Sequence, residues 1–108
     1  LYYMTYSGNS FASPFYGVGC ATATDIMGEW TKYDENPILQ NPGTLQGVGH
    51  SAMFKDKEGK LRIVYHAHKD KEHIHPRGMY IGSVSFQKVN GVDRMRISKD
   101  YITAELVK

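Results

Sequence analysis

The alternation of apolar and polar positions along the chain predicts strands and turns. Residues 1–7 are rich in aromatic and β-preferring types and stop at Gly8-Asn9. Residues 10–16, with Ser13-Pro14, read as a loop. Residues 16–24, small around Val18, read as a strand packed closely against a neighbour. A turn at 25–28 leads to a short strand at 30–33, which ends at Asp34-Glu35-Asn36-Pro37. Asn41-Pro42-Gly43 and Gly47-Val48-Gly49 punctuate a long connection. Strands follow at 50–55 and 61–68, joined by a turn at 56–59, and then a polar loop at 69–77. Over 78–87, Met79, Ile81 and Ser83 alternate with Tyr80, Gly82 and Val84, the period of a strand. Asn90-Gly91 is a turn, 94–98 a strand, and 101–107 one more. No stretch longer than about ten residues holds a helical period. The expected class is all-β.

The chain repeats itself once. Tyr6 and Tyr65 occupy equivalent places in two similar strand sequences 59 residues apart. Each copy continues into a polar loop, a glycine-containing strand, a turn and a short fourth strand. That span suits one four-stranded propeller blade with generous loops. An eight-stranded sandwich of two sheets fits the same pattern. In the blade reading, residues 1–40 form a partial blade and 47–108 a full one. Strands run up and down, so loops alternate between two edges. One edge then collects His50, His66, His68, His75 and Arg77, together with the loop at 8–16. The other carries short charged turns.

Composition narrows the function classes. The 108 residues carry 13 Lys plus Arg and 11 Asp plus Glu, a formal charge of +2. The cations are scattered among acids, which argues against a nucleic-acid groove. No apolar run approaches the roughly 18 residues of a membrane helix, so no membrane partner is expected. The one cysteine, Cys20, excludes an internal disulfide and a multi-cysteine zinc site, and leaves the compartment open. It has no basic cluster nearby and reads as a small buried residue. Eight Tyr, four Phe and one Trp suit packed sheets and sugar sites alike. A chain that opens directly on a strand at Leu1, with no leader, reads as a cut piece of a larger domain.

The candidate chemistry is concentrated in the histidines. His66 and His68 alternate on one strand, which puts them on one face as a metal pair or as hydrogen-bonded strand-end residues. His73 and His75 lie in a polar loop and are most simply solvated, or they order the loop. Asn9, Phe11 and Tyr16 read as loop-packing residues, and Trp30 as a core residue at a sheet edge. Gly47-Val48-Gly49 has a faint look of a phosphate loop but precedes a strand, which discounts that reading. Glycoside hydrolysis needs an acid and a base on facing sides of a bond. The acids here, Asp25, Glu29, Asp34, Glu35, Asp56, Glu58, Asp93 and Asp100, fall mostly in turns, and no pair stands out.

Several strings together resemble glycoside hydrolase family 43. They are Tyr2-Tyr3-Met4-Thr5-Tyr6-Ser7-Gly8-Asn9, Tyr16-Gly17-Val18-Gly19-Cys20-Ala21-Thr22, Gly28-Glu29-Trp30-Thr31-Lys32-Tyr33 and Asn36-Pro37-Ile38-Leu39. Further on come Gly47-Val48-Gly49-His50-Ser51-Ala52, Gly59-Lys60-Leu61-Arg62-Ile63-Val64-Tyr65-His66-Ala67-His68 and His75-Pro76-Arg77-Gly78-Met79-Tyr80-Ile81. The likeness covers nearly the whole chain in order. It implies a five-bladed β-propeller that hydrolyses arabinose- or xylose-containing plant polysaccharides with inversion. This chain would be its last two blades, the first incomplete.

The resemblance implies an Asp general base, a second Asp that tunes the acid, and a Glu general acid. None of the three maps onto this chain, so all are expected upstream of residue 1. It implies that Arg77 contacts the sugar, a task suited to a planar, permanently charged donor. It implies that His50 sits under the active site, where some relatives hold a central calcium or a water; no cofactor is otherwise required. An oligosaccharide or polysaccharide substrate is the expected partner. The isolated chain is expected to be inactive and to self-associate through uncovered sheet faces. The rival readings are a carbohydrate-binding β-sandwich module without catalysis and a structural β domain.

Overall fold

The computed structural model of the protein describes residues 1–10 and 12–104. The chain is all-β. Its strands are β1 (Tyr2–Gly8), β2 (Gly17–Ala23), β3 (Thr31–Lys32), β4 (Gly49–Lys55), β5 (Leu61–Ala67), β6 (Gly78–Val89) and β7 (Val92–Thr103). They form two antiparallel meanders, β1-β2-β3 and β4-β5-β6-β7, each in chain order. Phe11 and residues 105–107 of the expected last strand lie outside the described residues.

Two expected strands at the end of the chain are one. Residues 94–98 and the segment from Tyr101 both belong to β7. The pairing runs Gly82↔Tyr101 and then Val84↔Ile97, so three residues of β7 stand opposite Ser83. Ser98 accepts at Oγ from the Asp100 N–H (3.1 Å), a local bond that shapes this bulge. The polar run Ser98-Lys99-Asp100, which reads as a break, is a bulge inside a continuous strand. Asp93 and Asp100 therefore lie on a strand, exposed, and not in turns.

The core lies between the two sheets. Val18, Cys20, Tyr33, Leu39 and Val48 come from the first half, and Ile63, Tyr65, Ala67, Val84, Met95 and Ile97 from the second. β5 shows the strand period directly: Ile63, Tyr65 and Ala67 are buried, while Arg62, Val64 and His66 face the other side half-buried. Burial pushes the Cys20 thiol up from its usual range, as suits a small buried residue. Trp30 stays outside this core, half-buried, with its indole N–H donating to the Ile26 carbonyl (3.3 Å).

At the end of the sheets where β7 begins, side chains tie the halves together. Tyr3 donates its hydroxyl to the Asp93 carbonyl (2.6 Å), and the Met95 N–H donates to the Tyr33 hydroxyl (3.0 Å). Arg94 and Arg96 both donate to Glu35 Oε1 (2.9 and 2.5 Å), and hydrogen bonds from Arg96 and then Arg94 hold that carboxyl below its usual range. The turn after β4 is closed by Asp56, whose Oδ1 accepts from the Glu58 and Lys60 N–H groups. At the opposite end, the Ser7 hydroxyl accepts from the His50 N–H (2.9 Å), joining β1 to β4.

Candidate functional site

His50 owes its position to a defect in the ladder. β4 pairs with β5 through Gly49↔His66 and then Ala52↔Val64, so His50 and Ser51 together oppose Tyr65. His50 takes up the extra length with φ = 52°, the left-handed region that His visits more readily than branched residues. The result is an exposed imidazole at the sheet edge, its ring edge-on to that of His66 at 5.1 Å between centroids.

The two glycines just before it are required by rings packed on the backbone. Gly47 has φ = 65°, and a Cβ there would run into the His68 imidazole. A Cβ on Gly49 would run into the Tyr16 ring. These are close-approach glycines, with no anion cradle among them.

A hollow of about 250 Å³ opens on the face of β4-β5-β6 away from the core. His50, Ala52, Val64, Tyr65, His66 and Met79 line it, and no carboxylate does. Arg77, just ahead of β6, donates from Nη1 to His66 Nε2 (3.3 Å). That bond requires a neutral His66. Burial, then the positive charge of Arg77 and the nearby His50, His68 and His75, pulls the His66 pKa below its ordinary value. Of the residues expected on this edge, the structure brings His50, His66 and Arg77 into direct contact, through the ring pair and the Arg77 bond.

Of the two readings of His68, the structure fits the hydrogen-bonded strand end and not the metal pair. Regular alternation would place it beside His66, but β5 ends at Ala67 and the His68 N–H turns to donate to the Gln46 carbonyl (2.9 Å). His68 is buried and lines a different hollow, so the two rings do not converge on a shared metal. His73 is ordered by its own loop, its Nδ1 2.9 Å from Asp70 Oδ1.

Calcium takes six to eight oxygen ligands. The hollow beside His50 offers two imidazoles with a guanidinium close by, and among the described residues no group of three His, Cys, Asp or Glu can hold a metal. The residues present do not fit a calcium by themselves.

Sequence reading missed the bulge that aims His50, the Ser7 hydroxyl beneath it, and the apolar wall of Val64 and Met79. The glycine pair was the available signal. Two glycines flanking a buried valine mark a backbone approached from both sides.

The family profile described as "Glycosyl hydrolases family 43" matches residues 1–99. The chain belongs to glycoside hydrolase family 43. Two solved structures agree. An endo-1,4-beta-xylanase from Bacteroides thetaiotaomicron superposes with a TM-score of 0.88 at 37% identity, over 99% of this chain and 36% of its own. A thermostable family-43 glycoside hydrolase superposes with a TM-score of 0.77 at 35% identity, over 89% of this chain and 31% of its own. The chain therefore spans about a third of the length of each. No curated protein sequence matches it.

Proposed function

We propose that this family 43 chain forms the sugar-holding edge of a five-bladed β-propeller glycosidase. Residues 1–40 would be a partial blade and 47–108 a full one. The enzyme would cleave arabinose- or xylose-containing polysaccharides with inversion. The catalytic base, the tuning Asp and the acid Glu would come from outside these 108 residues. The observation that carries this reading is Arg77, bonded to a neutral His66 that lines a hollow together with His50. A guanidinium presents several planar donors to sugar hydroxyls, and its charge helps keep nearby carboxylates ionised. His50 would line the sugar's floor through one ring nitrogen. A calcium beside it belongs to this reading only with oxygen ligands from elsewhere.

The first test is binding. Xylo- and arabino-oligosaccharides titrated into the chain should perturb the amide resonances of Arg77 and His50, and Arg77→Ala should weaken that binding by about tenfold or more, the loss of a charged hydrogen bond. Unchanged binding in Arg77→Ala would reduce Arg77 to a structural residue. The second is turnover. The chain alone should not hydrolyse nitrophenyl arabinoside or xyloside, and hydrolysis lost on replacing one of its own acids would overturn the placement of the carboxylates.

A further inference from the structure

A second hollow, of about 420 Å³, lies at the same end of the four-stranded sheet on its other face. Adjacent residues of β6 divide the two spaces: Met79 lines the first and Tyr80 the second. We propose that this second hollow is a carbohydrate-binding site separate from the His50 and Arg77 edge. It would take a stretch of pentose oligosaccharide through the faces of Tyr80 and Tyr101.

Its walls are tied to each other and to their own turns by hydrogen bonds. One wall is residues 44–46 and the other 68–71, and the bond from the His68 N–H to the Gln46 carbonyl (2.9 Å) joins them. The second wall is braced in turn. The Lys69 N–H donates to the Ile74 carbonyl (3.3 Å), and Asp70 Oδ1 accepts from the Glu72 and His73 N–H groups at 2.8 Å each. Tyr80 and Tyr101 form the floor, with rings 5.3 Å apart and nearly perpendicular (82°). A rigid pocket spares a ligand the cost of ordering it.

The lining chooses the ligand class. Tyr80 and Tyr101, half-buried and packed in part against the core and each other, line the hollow with apolar rings and polar tips, the kind of surface on which the C–H face of a sugar ring rests. Gln46 and Lys69 stand round them with groups able to meet hydroxyls, and the buried His68 adds a further polar wall. The volume falls within the range of about 300–1,000 Å³ typical of small-molecule sites. A purely apolar ligand would leave that polar rim unmatched. A phosphate would meet Asp70 between Lys69 and Lys71, with no helix N-terminus to receive it.

The choice of a pentose oligosaccharide rests on the family 43 reading, and the test separates the two. Xylotetraose and arabinotetraose are titrated into the full chain and into Arg77→Ala, Tyr101→Ala and Gln46→Ala, with amide resonances as the readout. We expect a set of shifts at 44–46, 68–71 and 101–103 that survives Arg77→Ala. It should weaken at least about fivefold in Tyr101→Ala, the scale of one aromatic contact. Gln46→Ala, on the rim and outside the core, covers the case in which Tyr101→Ala fails to fold, and should weaken the same shifts. Shifts confined to the Arg77 edge, unchanged in Gln46→Ala, would overturn this inference and leave the proposed function standing. Shifts confined to the second hollow would do the reverse. No binding of either oligosaccharide would overturn both.

Discussion

At the scale of single residues, His66 and Tyr65 make opposite use of neighbouring places on β5. His66 faces the first hollow and is held neutral by burial and by Arg77. Its folded pKa lies below the unfolded value near 6.5, so the unfolded chain takes up the proton first as the solution is acidified. Stability from this residue is full above about pH 6.5 and is lost as pH falls through the folded pKa. Melting followed from about pH 7 to about pH 5 should show that decline, and His66→Gln should flatten it. An unaltered pH profile in the variant would mean that His66 is not the group involved. Tyr65 faces the core instead, 1% exposed. Burial, then Tyr101 and Tyr80, push its phenol up to about 12. Among the described residues its hydroxyl finds no hydrogen-bond partner. Removing an unpaired buried hydroxyl costs little, so Tyr65→Phe should leave stability within about 1 kcal/mol or raise it. A larger loss by denaturant unfolding would reveal a bound water.

At the scale of elements, the strands were legible because their period of two is written in side chains. Ile63, Tyr65 and Ala67 are an unambiguous inward row. The departures were not legible, because a bulge is a backbone event with weak sequence marks. Ser98-Lys99-Asp100 looks like any turn, and His50-Ser51 looks like any strand start. For the same reason His66 and His68 read as a pair: alternation holds only while the strand lasts, and it ends at Ala67, after which the His68 N–H donates to the Gln46 carbonyl. The site edge itself followed from strand order, whereas the second hollow depends on how the 44–46 connection folds back onto 68–71. Gly47 governs that fold-back. Gly47→Ala must relinquish a left-handed backbone and displace the His68 ring. It should cost at least about 1 kcal/mol in unfolding free energy, with altered resonances at 44–46 and 68–71. Ala tolerated without change would show that this connection is not under steric constraint.

At the scale of the whole chain, both outward sheet faces carry exposed apolar side chains. Tyr2 and Met4 alternate with core-packed Tyr3 on β1, and Phe54, Met79 and Ile102 lie on the outer face of the second sheet. The xylanase that matches 99% of this chain is nearly three times as long, with the chain covering 36% of it. Faces of this kind are suited to cover by further sheets. In isolation the chain should therefore self-associate, with light-scattering mass rising over the micromolar range. Phe54→Lys with Ile102→Lys should reduce that rise. A concentration-independent monomer with one cooperative melt would show that the two-sheet unit is sufficient on its own.

The bulge at His50 and Ser51 puts β4 out of phase with itself. Gly49, the one strand residue ahead of it, pairs with His66, and Ala52, the first behind it, pairs with Val64. Deleting one residue there would straighten the ladder and tighten the pairing with β5. It would also shift the register of the segment ahead, turning Val48 out of the core, disturbing the bond from the His50 N–H to Ser7 and costing the imidazole its outlook onto the hollow. The bulge thus serves the core and the hollow together, and a stability screen and a binding screen would both discard its deletion.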